Sequence, residues 1–283
     1  MEWGGVWMGG LIPCVAQLHS SLMKCGSGSF RATRARSSPW DGMSTKYQRN
    51  ALTEAVCEFR LRENVPESIF EKVLSQLSRI GWKIEKLIEF EVTIGSSSGP
   101  QSRLFGYKLT SSDAGDVVQI RKNALAISRM APYGGWESFI EKVFLHFDRW
   151  EKVVGSRRIE RIGARYINRF DIPIVSGEII NIEEYFSFNV SEPKILDTPV
   201  KSYSAHISSG IRADDIGVSL NLLVVEPVLI DTVAVVLDID LFREGDAVPQ
   251  SRGEIEKFLE MVRSRKGEIF EACITDKIRQ LIN

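Results

Sequence analysis

The chain has 283 residues, 43% of them hydrophobic and 26% charged, with a formal net charge of −1. That composition supports a packed globular core and excludes a chain disordered throughout. The near-zero charge gives no global electrostatic reason to bind nucleic acid or an acidic membrane, although a local basic patch is left open, and no run of about 18 apolar residues is present to span a bilayer.

Residues 1–42 stand apart. They hold seven of the 22 glycines and three of the six tryptophans, without helical or strand periodicity. Cys25–Trp40 is rich in Gly, Ser and Arg and contains no acid. The favoured reading is a mis-assigned start, with Met43 the initiator. A secretion signal fits poorly, because no positive charge precedes Trp3–Leu18 and Gly9, Gly10 and Pro13 break its apolar run. An organellar transit segment has only Arg31, Arg34, Arg36 and the serines in its favour. Residues 1–45 are therefore expected to lie outside the fold, with 46–283 forming a single α+β domain.

Thr53–Leu61 alternates Ala55, Cys57, Phe59 and Leu61 against Glu54, Val56, Glu58 and Arg60, which predicts a half-buried strand. Pro66 opens a helix where its missing N–H costs nothing. Phe70, Val73, Leu74 and Leu77 form its apolar stripe, and Gly81 ends it. Three strands are expected next, at Leu87–Ile94, Arg103–Leu109 and Val117–Ser128, joined by turns at Ser96–Pro100 and Ser111–Gly115. Gly134 and Gly135 precede a long helix striped by Trp136, Phe139, Ile140, Val143, Phe147, Trp150 and Val154.

The second half begins with a strand at Ile159–Phe170, followed by a short helix at Ile182–Phe186. Strands follow near Tyr203–Ile211, Gly217–Val225 and Thr232–Leu241. A final helix is expected from about Gly253 to Leu281, with Ser251 and Glu254 at capping-box spacing and a kink at Gly267. The expected architecture is an extended, mainly antiparallel sheet with long helices on one face. The similar element order of 50–155 and 156–283 suggests a duplicated β-α-β-β-β-α unit, with no residue-level repeat to support it.

Cys14, Cys25, Cys57 and Cys273 form no CxxC pair, which argues against a disulfide framework or zinc site and suits a reducing cytoplasm. The densest polar pattern is Arg161, Arg165 and Arg169. A strand period of two puts all three on one face, each about 13 Å from the next. They are an anion-binding candidate for phosphate, carboxylate or nucleic-acid backbone, with Asn168 on the opposite face needing a hydrogen-bond partner if buried. The competing reading is a solvated strand whose arginines pair with nearby acids.

Asp238 and Asp240 share a strand face and are a weak candidate for Mg²⁺ or Ca²⁺. Pairing with the arginine stripe on a nearby strand is the favoured alternative. Glu54, Glu58 and Arg60 lack any nucleophile or water-positioning partner legible in the sequence. His146 and His206 have no ligand-spaced neighbour and are expected to be structural. There is no GxSxG, P-loop or GxGxxG, and no cofactor is implied.

Several segments carry a resemblance together: Ala51–Arg60, Val118–Ile127, Gly135–Phe139, Ala164–Arg169 (Ala-Arg-Tyr-Ile-Asn-Arg) and Phe270–Asp276. Over about residues 50–282 the chain resembles a sporadically distributed family of uncharacterised bacterial proteins. Their usual form begins Pro-Leu-Val-Glu-Ala-Ile-Phe-Glu and carries Arg-Tyr-Ile-Asn mid-chain. This chain departs from that form at Ala51, where proline is usual. The resemblance implies no established activity. Patchy distribution associates such proteins with mobile, defence or toxin–antitoxin loci.

The expectation is a cytoplasmic, non-enzymatic binding or regulatory protein with a protein partner or a homo-oligomeric state. The alternatives are a divalent-metal enzyme or effector using Asp238 and Asp240, or a nucleic-acid binder using the arginine face.

Overall fold

The computed structural model describes residues 47–78, 82–91, 101–174, 180–188 and 202–283, all within the unit Gly42–Asn283. The segment 1–45, the turn at Ser96–Pro100 and Gly81 lie outside the described residues.

Among the described residues nine strands form one antiparallel sheet: β1 Leu52–Leu61, β2 Lys83–Glu91, β3 Gln101–Thr110, β4 Asp116–Arg121, β5 Ala124–Met130, β6 Ile159–Pro173, β7 Ser204–Ile211, β8 Ile216–Val225 and β9 Thr232–Glu244. Their order is β2-β3-β4-β5-β1-β6-β9-β8-β7. Read outward from the β1–β6 junction, each half places its last strand beside its first and then steps back to its earlier ones. The first half carries one extra edge strand, β2, and the helix α1 (Glu67–Ser78) where the second half has a 3-10 turn at Ile182–Glu184. Among the described residues the halves therefore share a topology but not every element of a β-α-β-β-β-α unit.

Two elements differ from expectation. Val117–Ser128 is a hairpin rather than a single strand, with β4 and β5 folded back on each other at Lys122–Asn123. Asn is a turn former. The turn carbonyls are satisfied by the end of β1 and the loop that follows it: Leu61 N–H donates to Asn123 O at 2.7 Å and Val65 N–H to Lys122 O at 2.8 Å. The last helix is two, α3 Arg252–Cys273 and α4 Asp276–Ile282. The break falls at Ile274–Thr275, and Gly267 sits inside α3. Ile274 is extended (φ −106°, ψ 151°) and makes an isolated β-bridge to Phe186. That long-range contact stops the helix. The capping box at Ser251 and Glu254 is present.

The core lies between one face of the sheet and the helices. Ala55, Cys57 and Phe59 of β1, Ile162, Ala164, Tyr166 and Phe170 of β6, and Leu237, Ile239 and Leu241 of β9 are all buried there. Phe147 of α2 (Trp136–Val154) meets Phe59 at 4.5 Å between ring centroids, and Phe270 of α3 meets Phe170 at 6.3 Å. Each such fully buried aromatic contributes roughly 1.5–3 kcal/mol. Trp136 Nε1 donates to Glu260 Oε1 at 2.6 Å and ties α2 to α3. Cys57 and Cys273 are buried free thiols, and burial pushes both thiols up, Cys273 to about 11. Among the described residues no helix is long and apolar enough to cross a membrane, and the contacts above place the helices on one face of the sheet.

Candidate functional site

The helix-free face is built by the alternate residues of each strand. The register sets Val56, Arg165, Asp240 and Ser219 in one row across β1, β6, β9 and β8. The next rows are Glu58, Gly163, Phe242 and Gly217, and then, on the other side, Glu54, Ile167, Asp238, Asn221 and, on β7, His206. Acids, guanidiniums and glycines thus alternate on a surface that is polar because, among the described residues, no helix packs on it.

Each sequence-predicted arginine lies here and holds an acid. Arg161 Nη2 donates to Asp240 Oδ2 at 2.7 Å and Nη1 to Glu58 Oε1 at 3.3 Å. Arg165 forks onto Asp238, Nε to Oδ1 and Nη2 to Oδ2, both at 2.8 Å. Arg169 pairs along its own strand with Asp171 at 2.9 Å. The parallel two-bond fork is the strongest geometry a carboxylate and a guanidinium can adopt. Pairing of the two aspartates with the arginine stripe, the favoured reading of Asp238 and Asp240, is what the structure shows.

Asn168 stands apart from this set. It is buried at 3% exposure on the core face, and its Nδ2 donates to Tyr166 O and Leu237 O at 3.3 and 3.2 Å. Its amide serves the backbone of β6 and β9, so it does not join the arginine face.

The structure adds Arg121, Asn221, Phe242 and Phe105, which the sequence did not single out, and joins to them Glu58, Arg60 and His206, which it did. Arg121 of β4 and Arg60 both hold Glu58, the latter at 2.7 Å. Asn221 Nδ2 donates to Asp238 Oδ2 at 3.1 Å, and its Oδ1 accepts from His206 Nδ1 at 2.7 Å, which requires the proton on Nδ1. Phe242 lies under the Arg161 guanidinium at 4.4 Å, and Phe105 under that of Arg121 at 5.6 Å. Phe105 reaches this face because a bulge opposite Leu87 and Ile88 inserts one residue into β3. Of the four added residues only Arg121 had a sequence cue, the polar phase of the alternating segment Val117–Arg121.

Glycines make the stacking possible. A Cβ on Gly163 would stand 2.9 Å from Arg161 Nη1, and one on Gly217 would stand 2.6 Å from the Phe242 ring. Gly217→Ala therefore forces the ring off its seat and away from Arg161. We expect a loss of about 1–3 kcal/mol in urea unfolding, largely relieved when Phe242→Leu is added. An unchanged midpoint in Gly217→Ala would show that the ring is not held as described.

The electrostatics separate the two acids that share Arg161. Burial raises the Glu58 carboxyl, but Arg121, Arg60 and Arg161 outweigh it and hold it below the ordinary carboxylate range. Asp240 goes the other way: burial pushes it up more than Arg161 and Arg165 pull it down, with Asp238 and Glu58 adding to the rise. Shifts of this kind occur at reactive sites and also in structural ion networks. Among the described residues no group of three or more His, Cys, Asp or Glu has metal-holding geometry.

His146 lies outside this face. It is buried on α2 and packs at a tilt against Trp82, with 5.2 Å between centroids, a packing role. No protein-family model matches the chain, and no curated protein sequence matches it.

Proposed function

We propose that this is a non-enzymatic binding or regulatory protein that presents the helix-free face of its sheet to a protein partner. The observation that carries the reading is the closed ladder of Arg121, Arg60, Glu58, Arg161 and Asp240 beside Arg165, Asp238 and Asn221. A divalent ion at Asp238 and Asp240 would have to strip a guanidinium from each. A phosphate at Arg161 or Arg165 would have to strip a carboxylate. Breaking half-buried pairs of this kind costs several kcal/mol, so the face is better suited to recognition by a fixed pattern of charge and aromatic edges. The exposed apolar tip Val228, Leu229 and Ile230 on the β8–β9 loop adds contact area of the type partners cover. The resemblance to a sporadically distributed bacterial family fits a cytoplasmic partner encoded in the same accessory locus.

The test is a thermal-shift series with Mg²⁺, Mn²⁺ and nucleotides, run beside anisotropy with a labelled oligonucleotide. We expect no shift of the melting temperature and no salt-sensitive oligonucleotide binding. Stabilisation by Mg²⁺ or Mn²⁺ that disappears in Asp238→Ala would replace this reading with a metal-dependent enzyme. Oligonucleotide binding that weakens with salt and with loss of any one of Arg161, Arg165 and Arg169 would replace it with a nucleic-acid binder.

A further inference from the structure

The two edges of the sheet are built differently. At one end β2 (Lys-Ile-Glu-Lys-Leu-Ile-Glu-Phe-Glu) is charged along its length and interrupted by a register shift at Leu87/Ile88. Charges and bulges are how sheet edges avoid pairing with another chain. At the other end β7 (Ser-Ala-His-Ile-Ser-Ser-Gly-Ile) has no Lys, Arg, Asp, Glu or Pro. Its register with β8 runs unbroken from Ser204↔Leu223 to Ile211↔Ile216. Among the described residues it has a strand neighbour on one side only, and Ile207 is 44% exposed.

We infer that β7 is a self-association edge, and that its partner is β7 of a second copy of this chain, paired antiparallel across a two-fold axis. Three observations select a second copy over a foreign peptide. First, β-strand addition to a foreign peptide draws its specificity from side-chain pockets. Ser204, Ala205, Ser208, Ser209 and Gly210 are too small to wall one.

Second, the strand is self-complementary. With the axis at Ile207, that side chain covers Ile207 of the partner subunit. His206 then faces Ser208 of the partner subunit, and Ser204 faces Gly210 of the partner subunit, so no charged side chain opposes another. Third, the chain already joins its own two like halves this way, through the antiparallel first strands β1 and β6.

A two-fold perpendicular to the sheet keeps both sets of helices on one side. The result is an eighteen-stranded sheet, twice the nine strands of one chain, with a single helix-free face. The Arg165–Asp238–Asn221–His206 chains of the two subunits run toward each other across the junction. The inference does not rest on the partner reading above, because it concerns the strand edge and can fail or stand with that reading unchanged.

The experiment is sedimentation velocity on the full chain across the micromolar range, beside hydrogen exchange of the β7 amides. We expect the mass of two chains, and slow exchange over Ser204–Ile211 that speeds up on dilution. Ile207→Lys sets two like charges at the axis and Ser208→Pro removes an edge donor; each is expected to yield single chains with the melting temperature of the diluted wild type. The mass of one chain throughout the range overturns the inference. So does a dimer that survives both variants, or a wild-type dimer whose β7 amides exchange at a concentration-independent rate. The exchange readout on unmodified protein decides the matter even where a variant fails to fold.

Discussion

Arg165→Ala is expected to lower the unfolding free energy by about 3 kcal/mol, the low end of what removing one member of a buried ion pair costs. The expectation comes from the partner rather than from Arg165 itself. The Asp238 side chain is 5% exposed and accepts both arms of the guanidinium fork. After the substitution it keeps the Asn221 amide but loses both guanidinium donors in a site that water scarcely reaches. Removing both charges with matched apolar volume, Arg165→Met with Asp238→Leu, should recover most of the loss, since a buried pair replaced as a whole is often neutral. Urea unfolding of the four-member cycle measures the coupling. Additive single losses would mean that the fork contributes nothing measurable, and the ladder could then not be the rigid platform proposed above.

Acidification should destabilise the protein through His146 before most carboxylates titrate. The imidazole is 3% exposed. Burial, with Arg149 and Lys142 repelling the charge and Asp116 only partly compensating, lowers its pKa from 6.5 to about 4. The folded-state pKa is depressed, so the unfolded chain takes up the proton first as pH falls. Stability is therefore full above pH 6.5, declines between 6.5 and about 4, and is flat below that as far as this group is concerned, a loss of about 3 kcal/mol. Glu58, whose pKa is also lowered, adds a further loss below the ordinary carboxylate range. The difference between wild type and His146→Phe isolates the histidine, because phenylalanine keeps the aromatic contact with Trp82. The variant's melting temperature should fall less between pH 7 and 5. Equal slopes for the two proteins would place the acid sensitivity elsewhere.

How far the candidate face was legible follows from how local each feature is. Arg161, Arg165 and Arg169 recur at a stride of four within one strand, so their shared face could be read directly from the period of two. Asp238 and Asp240 were readable in the same way. Gly163 and Gly217 gave no such cue, since the need for a missing Cβ arises only when the Phe242 ring from a third strand lies between them. Phe105 could not be placed by simple alternation, because a bulge turns it onto this face. The Lys122–Asn123 turn was legible in principle and was hidden by apolar residues on both sides of it.

The apolar stripes of α1 and α2, the Ser251 cap, the buried phases of β1 and β6, and the order of elements apart from the β4–β5 hairpin and the break between α3 and α4 were determined by the sequence alone. They depend on residues within a few positions of one another, where backbone geometry sets a fixed period. Tertiary structure decided which strand lies beside which, where the last helix breaks against Phe186, and which acid holds which arginine. Arg161 and Asp240 stand 79 residues apart, and only the β6–β9 pairing brings them within 2.7 Å. Strand pairing over such separations is chosen by the whole packed sheet, through the burial of all its apolar faces at once, and leaves no trace in the local pattern of either strand.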